Sequence, residues 1–163
     1  MLEPSRRGSH PTLICLGLAI LLPLAAAHAL AQNDVGVLPE GLSTPLCLSD
    51  PHTLCLNGDR FSVTASYRLS PSGPSILANA VRLTDDTGYF WFFEEANVEL
   101  VVKVLNGCIE PFNSYWFFAA GLTNLGVDIS VRDLRTMDVK NYTNPPGTPF
   151  VPIQDTGAFS TCP

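Results

Sequence analysis

From residue 61 onward, apolar and polar positions alternate in short runs separated by turn-forming residues, as in strands of a sheet with one buried face. Phe61 to Tyr67 shows this first: Phe61, Val63, Ala65 and Tyr67 fall on one face, Ser62, Thr64 and Ser66 on the other. Asn57-Gly58 ahead of it is a turn signal, and the Ser70 to Ser75 cluster follows it. Ala78 to Leu83 predicts a second strand, with Ala78, Ala80 and Arg82 opposed to Val81 and Leu83, before a turn at Thr84 to Gly88. Tyr89 to Phe93 is aromatic at both parities, which predicts a strand covered on both faces. After a turn at Glu94 to Asn97, Val98, Leu100, Val102 and Val104 point inward and Glu99 and Lys103 outward. A helix over Glu94 to Leu105 competes, but β-branched valines at period two favour the strand.

Tyr115 to Gly121 repeats the aromatic character of Tyr89 to Phe93, and Val127, Ile129 and Val131 alternate with Asp128, Ser130 and Arg132 up to Asp133. Met137 to Tyr142 predicts the next strand, Asn144-Pro-Pro-Gly147 a firm break, and Phe150 to Ile153 and Ala158 to Ser160 two short closing strands. No amphipathic helix is predicted. Seven or eight short strands at this spacing describe an all-β fold, an antiparallel sandwich of immunoglobulin-like type rather than a closed barrel.

The first 31 residues follow a different pattern. Arg6 and Arg7 precede an apolar run from Leu13 to Ala27, which ends in Ala29-Leu30-Ala31. This is the layout of a secretory signal peptide, with cleavage expected after Ala31 and the site after Ala29 as second choice. The run is shorter than the roughly 20 residues of a membrane span and is interrupted by Pro23, so no membrane span is expected after cleavage. Residues 32–45 then read as a linker, and 46–163 as the sandwich domain, in a secreted or periplasmic protein.

Cleavage changes the charge from −6 to −7, because Arg6, Arg7 and Glu3 are lost: Lys+Arg falls from 9 to 7 and Asp+Glu from 15 to 14. An acidic domain with no two adjacent basic residues does not suit a phosphate backbone, so nucleic acid is excluded as a partner. Cys15 lies in the leader, which leaves Cys47, Cys55, Cys108 and Cys162. An even count in an exported domain predicts two disulfides, and of the three pairings we favour Cys47 with Cys55 and Cys108 with Cys162. The second would close a loop of about 55 residues and contribute roughly 3 to 4 kcal/mol. The Cys-x2-Cys spacing of a zinc site is absent.

The runs LCLNGDRFSVTASYR, LTDDTGYFWFFEEANVELVVKVLNG and YWFFAAGLTNLGVDISVRDL resemble an uncharacterised domain of secreted bacterial proteins, over residues 46–160. The resemblance implies a β-rich extracytoplasmic module that stands alone or is appended to larger exported proteins. It brings no catalytic or binding residue with it.

Candidate chemistry is sparse. After leader removal His52 is the one histidine, inside the Cys47 to Cys55 loop, and a Ser-His-Asp or Cys-His arrangement has no other base to draw on. The carboxylate pairs Asp85-Asp86 and Glu94-Glu95 sit within single turns rather than on opposite sides of a cleft, so glycosidase chemistry is not expected. Asp85, Asp86 and Glu95 are the candidate calcium ligands, with turn-capping Asx hydrogen bonds as the alternative. Tyr89, Trp91, Tyr115 and Trp116 are the candidate ligand-binding residues, as a flat aromatic platform for sugar rings or another apolar partner; core packing is the competing account. Asn141-Tyr142-Thr143 is a glycosylation sequon, relevant in a eukaryotic secretory pathway. The expectation is therefore an exported, non-enzymatic module without a cofactor, which meets a protein or glycan partner. A carbohydrate-binding module and a calcium-stabilised adhesion domain are the alternatives.

Overall fold

The computed structural model describes residues 46–163, so the predicted leader (1–31) and linker (32–45) lie outside the described residues. Ten strands follow one another: β1 (Thr53–Leu56), β2 (Phe61–Arg68), β3 (Ile76–Leu77), β4 (Asn79–Arg82), β5 (Thr87–Trp91), β6 (Leu100–Gly107), β7 (Ser114–Gly121), β8 (Gly126–Asp133), β9 (Val139–Asn144) and β10 (Ile153–Phe159). They form two antiparallel five-stranded sheets. The first has the order β1-β2-β8-β9, with β3 following β1 along the edge of β2, and the second the order β10-β7-β6-β5-β4. The described chain is an all-β sandwich, as its alternation predicts.

Period-two burial holds the layers together. Phe61, Val63, Ala65 and Tyr67 of β2 and Val127, Ile129 and Val131 of β8 form the inner face of the first sheet. Phe90, Leu100, Val102, Val104, Tyr115, Phe117 and Ala119 form that of the second. Aromatic pairs cross the interface: Phe61 lies 4.9 Å from Tyr115 and 5.2 Å from Phe159, and Phe117 stacks on Tyr142 at 4.7 Å. At one end the β1–β2 turn docks on the β4–β5 turn. The Asn57 and Gly58 N–H groups donate to the Asp85 carbonyl and carboxylate at 2.6 and 3.0 Å, and the Asn57 side chain donates to the Val104 carbonyl at 2.8 Å. Asn57, Gly58 and Asp59 have φ of 53°, 60° and 62°, a run of left-handed residues that the Asn-Gly pair accommodates best.

Both predicted disulfides are present. Cys47 is joined to Cys55 with Cα atoms 5.6 Å apart, and Cys108 to Cys162 at 5.5 Å.

Several boundaries differ from expectation. The lead-in contains a strand, β1, because Leu54 and Leu56 reach the core between Val63, Phe61 and the second sheet. The predicted strand Ala78 to Leu83 is β4, and an unpredicted two-residue strand precedes it: the chain leaves the first sheet at β3, buries Ala78 and enters the second at β4. The two closing strands are one, β10, interrupted by a bulge between Asp155 and Phe159. The described residues form ten strands where seven or eight are expected.

Tyr89 to Phe93 is not covered on both faces. Gly88 and Phe90 are buried, Tyr89 and Trp91 half-buried, and Phe92 and Phe93 lie in the bend beyond β5. Glu99 keeps its outward parity but is 7% exposed, not solvated. It sits between the ends of β5 and β7, its backbone bonded to Phe90 and Leu122 and its carboxylate to the Asn97 amide.

Candidate functional site

The two outer faces of the sandwich are chemically opposite. On the first sheet, Ser62, Thr64 and Ser66 of β2, Asp128, Ser130 and Arg132 of β8, and Asn141 and Thr143 of β9 share the outer parity. Thr64, Ser66, Asp128, Ser130, Asn141 and Thr143 line a shallow recess of about 290 Å³ there. On the second sheet the same parity brings together Val81, Tyr89, Trp91, Val101, Leu105, Trp116, Phe118 and Ala120. No further layer of strands covers this aromatic face among the described residues. Its charged groups are Lys103, whose ammonium lies 3.9 Å from Asp86, and the buried Glu99.

A groove of about 280 Å³ runs across this face. Val101, Phe118, Ala120 and Pro152 give it apolar walls, and Thr87, Lys103 and Gln154 supply polar ends. An apolar floor with a few convergent polar groups is the usual chemistry of a ligand site. Beside it Trp116 lies over Gly107, where a Cβ would come within 2.8 Å of the indole, and meets Phe112 edge-on at 5.0 Å. Its indole N–H is buried without a hydrogen-bond partner among the described residues, so the ring offers its remaining surface rather than its polar edge.

Three of the four candidate platform residues therefore share one face. Tyr89 and Trp91 come from β5 and Trp116 from β7, on either side of β6. Tyr115 does not join them: it is 4% exposed, on the inner face, because neighbours in a strand point to opposite sides. Its hydroxyl instead meets a buried ion pair that the sequence analysis did not single out.

Arg60 donates from Nε and Nη2 to the Asp133 carboxylate at 2.9 and 2.6 Å, and from Nη1 to the Tyr115 hydroxyl at 2.9 Å. Nη2 also reaches the Thr161 carbonyl at 2.6 Å, and Thr161 Oγ1 donates to Asp133. Burial alone would raise the Asp133 carboxyl; hydrogen bonds from Arg60, Thr161 and the Arg135 N–H outweigh it and hold it below the usual carboxylate range. Burial likewise disfavours charged Arg60, and Asp133 overcomes this and raises its pKa. The signal for this pair lay in the alternation, since Asp133 stands at the inward parity of Val127, Ile129 and Val131.

The candidate calcium ligands are not brought together. Asp85 and Asp86 precede β5 and Glu95 follows it, with five strand residues, about 17 Å of extended chain, between them. Asp85 accepts from Gly58 N–H and Arg82, and Asp86 from Thr84 and Thr87, both at 2.7 Å. Among the described residues no three His, Cys, Asp or Glu side chains are grouped to hold a metal ion. His52 packs against the β3–β4 crossover, with Nδ1 2.9 Å from the Ala78 carbonyl.

No family model, curated protein or solved structure matches the chain. The resemblance over residues 46–160 rests on the three runs that carry it.

Proposed function

We propose that the chain is an exported, non-enzymatic module, an immunoglobulin-like sandwich, that binds its partner through the outer face of its second sheet. One observation carries this reading: Tyr89, Trp91, Trp116, Phe118, Val101 and Leu105 share a sheet face that no further strand layer covers among the described residues. Large exposed apolar patches on soluble domains mark interaction sites. The opposite sheet, with its serines, threonines and asparagines, is an ordinary solvated face. The signal-like leader and the two disulfide pairs support a secreted or periplasmic location.

The carbohydrate reading is favoured by the distribution of Tyr89, Trp91 and Trp116 over two strands flanking β6, since aromatic faces on one side of a sheet can stack on sugar rings. Binding to a glycan array, followed by titration of hits against tryptophan fluorescence, tests both readings. Glycan binding that Trp91→Ala and Trp116→Ala each weaken by tenfold or more establishes the carbohydrate module. Binding to a protein partner that the same variants abolish establishes the interaction module. Partner binding indifferent to both variants would place the site elsewhere and overturn the assignment to this face.

A further inference from the structure

A second site stands apart from the aromatic face. Between the β1–β2 turn and the C-terminal tail lies a recess of about 330 Å³, lined by Leu46, Asn57, Gly58, Arg60, Tyr115, Arg135 and Pro163. We propose that this recess binds a small organic carboxylate, with its oxygens on Arg135, Arg60 and Tyr115 and its apolar body against Leu46 and Pro163.

The argument rests on unused hydrogen-bond donors. A guanidinium has five N–H groups. In Arg60, Nε and Nη2 are directed to Asp133 and Thr161, and Nη1 makes one bond, to the Tyr115 hydroxyl. One Nη1 proton is left without an acceptor among the described residues. Tyr115 accepts that bond through its oxygen, so its own O–H proton is also free, and no acceptor for it lies within reach among the described residues. Tyr115 is 4% exposed and Arg60 8%, so what surface these two donors keep faces the recess, where a ligand can accept from them.

Charge points the same way. Asp133 lies against Arg60 and neutralises it, but no carboxylate among the described residues pairs with the exposed side chain of Arg135. The recess therefore presents one unpaired guanidinium, that of Arg135, in a domain of net charge −7, the full-chain −6 less the leader's two Arg and one Glu. A planar carboxylate matches the fork of Arg135 in a bidentate pair, while a second donor set, Arg60 Nη1 and Tyr115 Oη, 2.9 Å apart, lines the same recess. A volume of 330 Å³ falls at the small end of organic-ligand sites. Leu46 and Pro163 give the ligand body an apolar wall that a bare inorganic ion would not use.

Benzoate is the probe, titrated into the exported protein by amide NMR up to about 10 mM, where even a weak millimolar site fills. Inorganic phosphate at matched ionic strength is the parallel arm. Saturable shifts confined to the residues around the recess are expected for benzoate, with phosphate the weaker ligand. Arg135→Ala should raise the dissociation constant by about tenfold or more, as loss of a charge-assisted bond does. Because Arg135 is exposed, that variant keeps the fold. Tyr115→Phe, which keeps the ring in the core, should weaken benzoate several-fold. Absence of saturable benzoate shifts, undiminished binding by Arg135→Ala, or phosphate binding more tightly than benzoate would each overturn the proposal. None of these results bears on the aromatic face, whose residues are on other strands or the opposite parity.

Discussion

Arg60 and Asp133 are 8% and 0% exposed, and their burial is tolerable because each finds several partners at once. Replacing one member strands the other's charge in a low-dielectric site, which costs about 3 to 5 kcal/mol, whereas exchanging both for apolar groups of similar volume is often near neutral. Asp133→Asn should therefore lower unfolding free energy by that amount in denaturant titration. The double variant Arg60→Met, Asp133→Leu should lose less than the sum of the single variants. The pair also sets an acid limit. The Asp133 carboxyl is held below its unfolded value of about 4, so the unfolded chain binds the extra proton as pH falls. Stability from Asp133 is complete above about pH 4 and is lost as pH drops through the lower folded value. Melting temperature followed from pH 7 to pH 2 should fall most steeply below pH 4, and Asp133→Asn should flatten that limb. An unchanged limb would mean that other carboxylates, such as Asp50 and Asp86, whose pKa values are also lowered, carry the acid transition.

At the scale of the strand, alternation makes neighbours energetically unlike. Val102 of β6 is fully buried and Lys103 reaches solvent beside Asp86. Val102→Asp should unfold the domain, because an unpaired buried carboxylate costs several kcal/mol against a total stability of about 5 to 15. Lys103→Asp should cost no more than about 1 kcal/mol, the range of surface substitutions and exposed ion pairs. Equal losses in melting temperature would refute the placement of β6. Gly88 of β5 makes a second test. A Cβ there would lie 2.5 Å from Leu54 and 2.7 Å from the Val81 carbonyl, so Gly88 is the hole into which Leu54 of the opposite sheet inserts. Gly88→Ala should cost about 1 to 3 kcal/mol from overpacking. Combined with Leu54→Ala, which vacates the space, the loss should be less than additive.

These same elements mark what the chain's pattern conveys. β2, β6 and β8 are long, alternate cleanly and are legible from sequence. β1 is four residues in a Pro, Gly and Ser context, too short for periodicity to register. The Ala78 crossover leaves no mark because β3 is only two residues, Ile76 and Leu77, too short for a period to register. In Tyr89 to Phe93 and Tyr115 to Gly121 both parities are aromatic, so period two separates the faces without saying which is inside. That is why Trp116 and Tyr115 enter the candidate site together and only the tryptophan stays on its outer face.

Across the whole molecule, the chain is closed by its covalent links and by the tail they hold. Cys47–Cys55 spans 8 residues and Cys108–Cys162 spans 54, and restriction of the unfolded chain grows with loop length, so the second link should contribute more, about 4 against about 2.5 kcal/mol. The longer link also has a folded-state consequence. It anchors Cys162 beside the end of β6, which keeps Thr161 on Arg60 and Asp133. Loss of the link frees the tail, and the buried ion pair then loses the hydroxyl and carbonyl that complete its hydrogen bonding. The Cys108→Ser, Cys162→Ser variant should therefore lose more than loop entropy alone, and its deficit should overlap with that of Thr161→Val. Denaturant unfolding of the four members of this cycle measures the overlap. A coupling of about 0.5 kcal/mol or more is expected for groups sharing one network. Strict additivity would show that the tail stays docked without its disulfide, and that the ion pair, rather than the covalent link, holds the end of the sandwich shut.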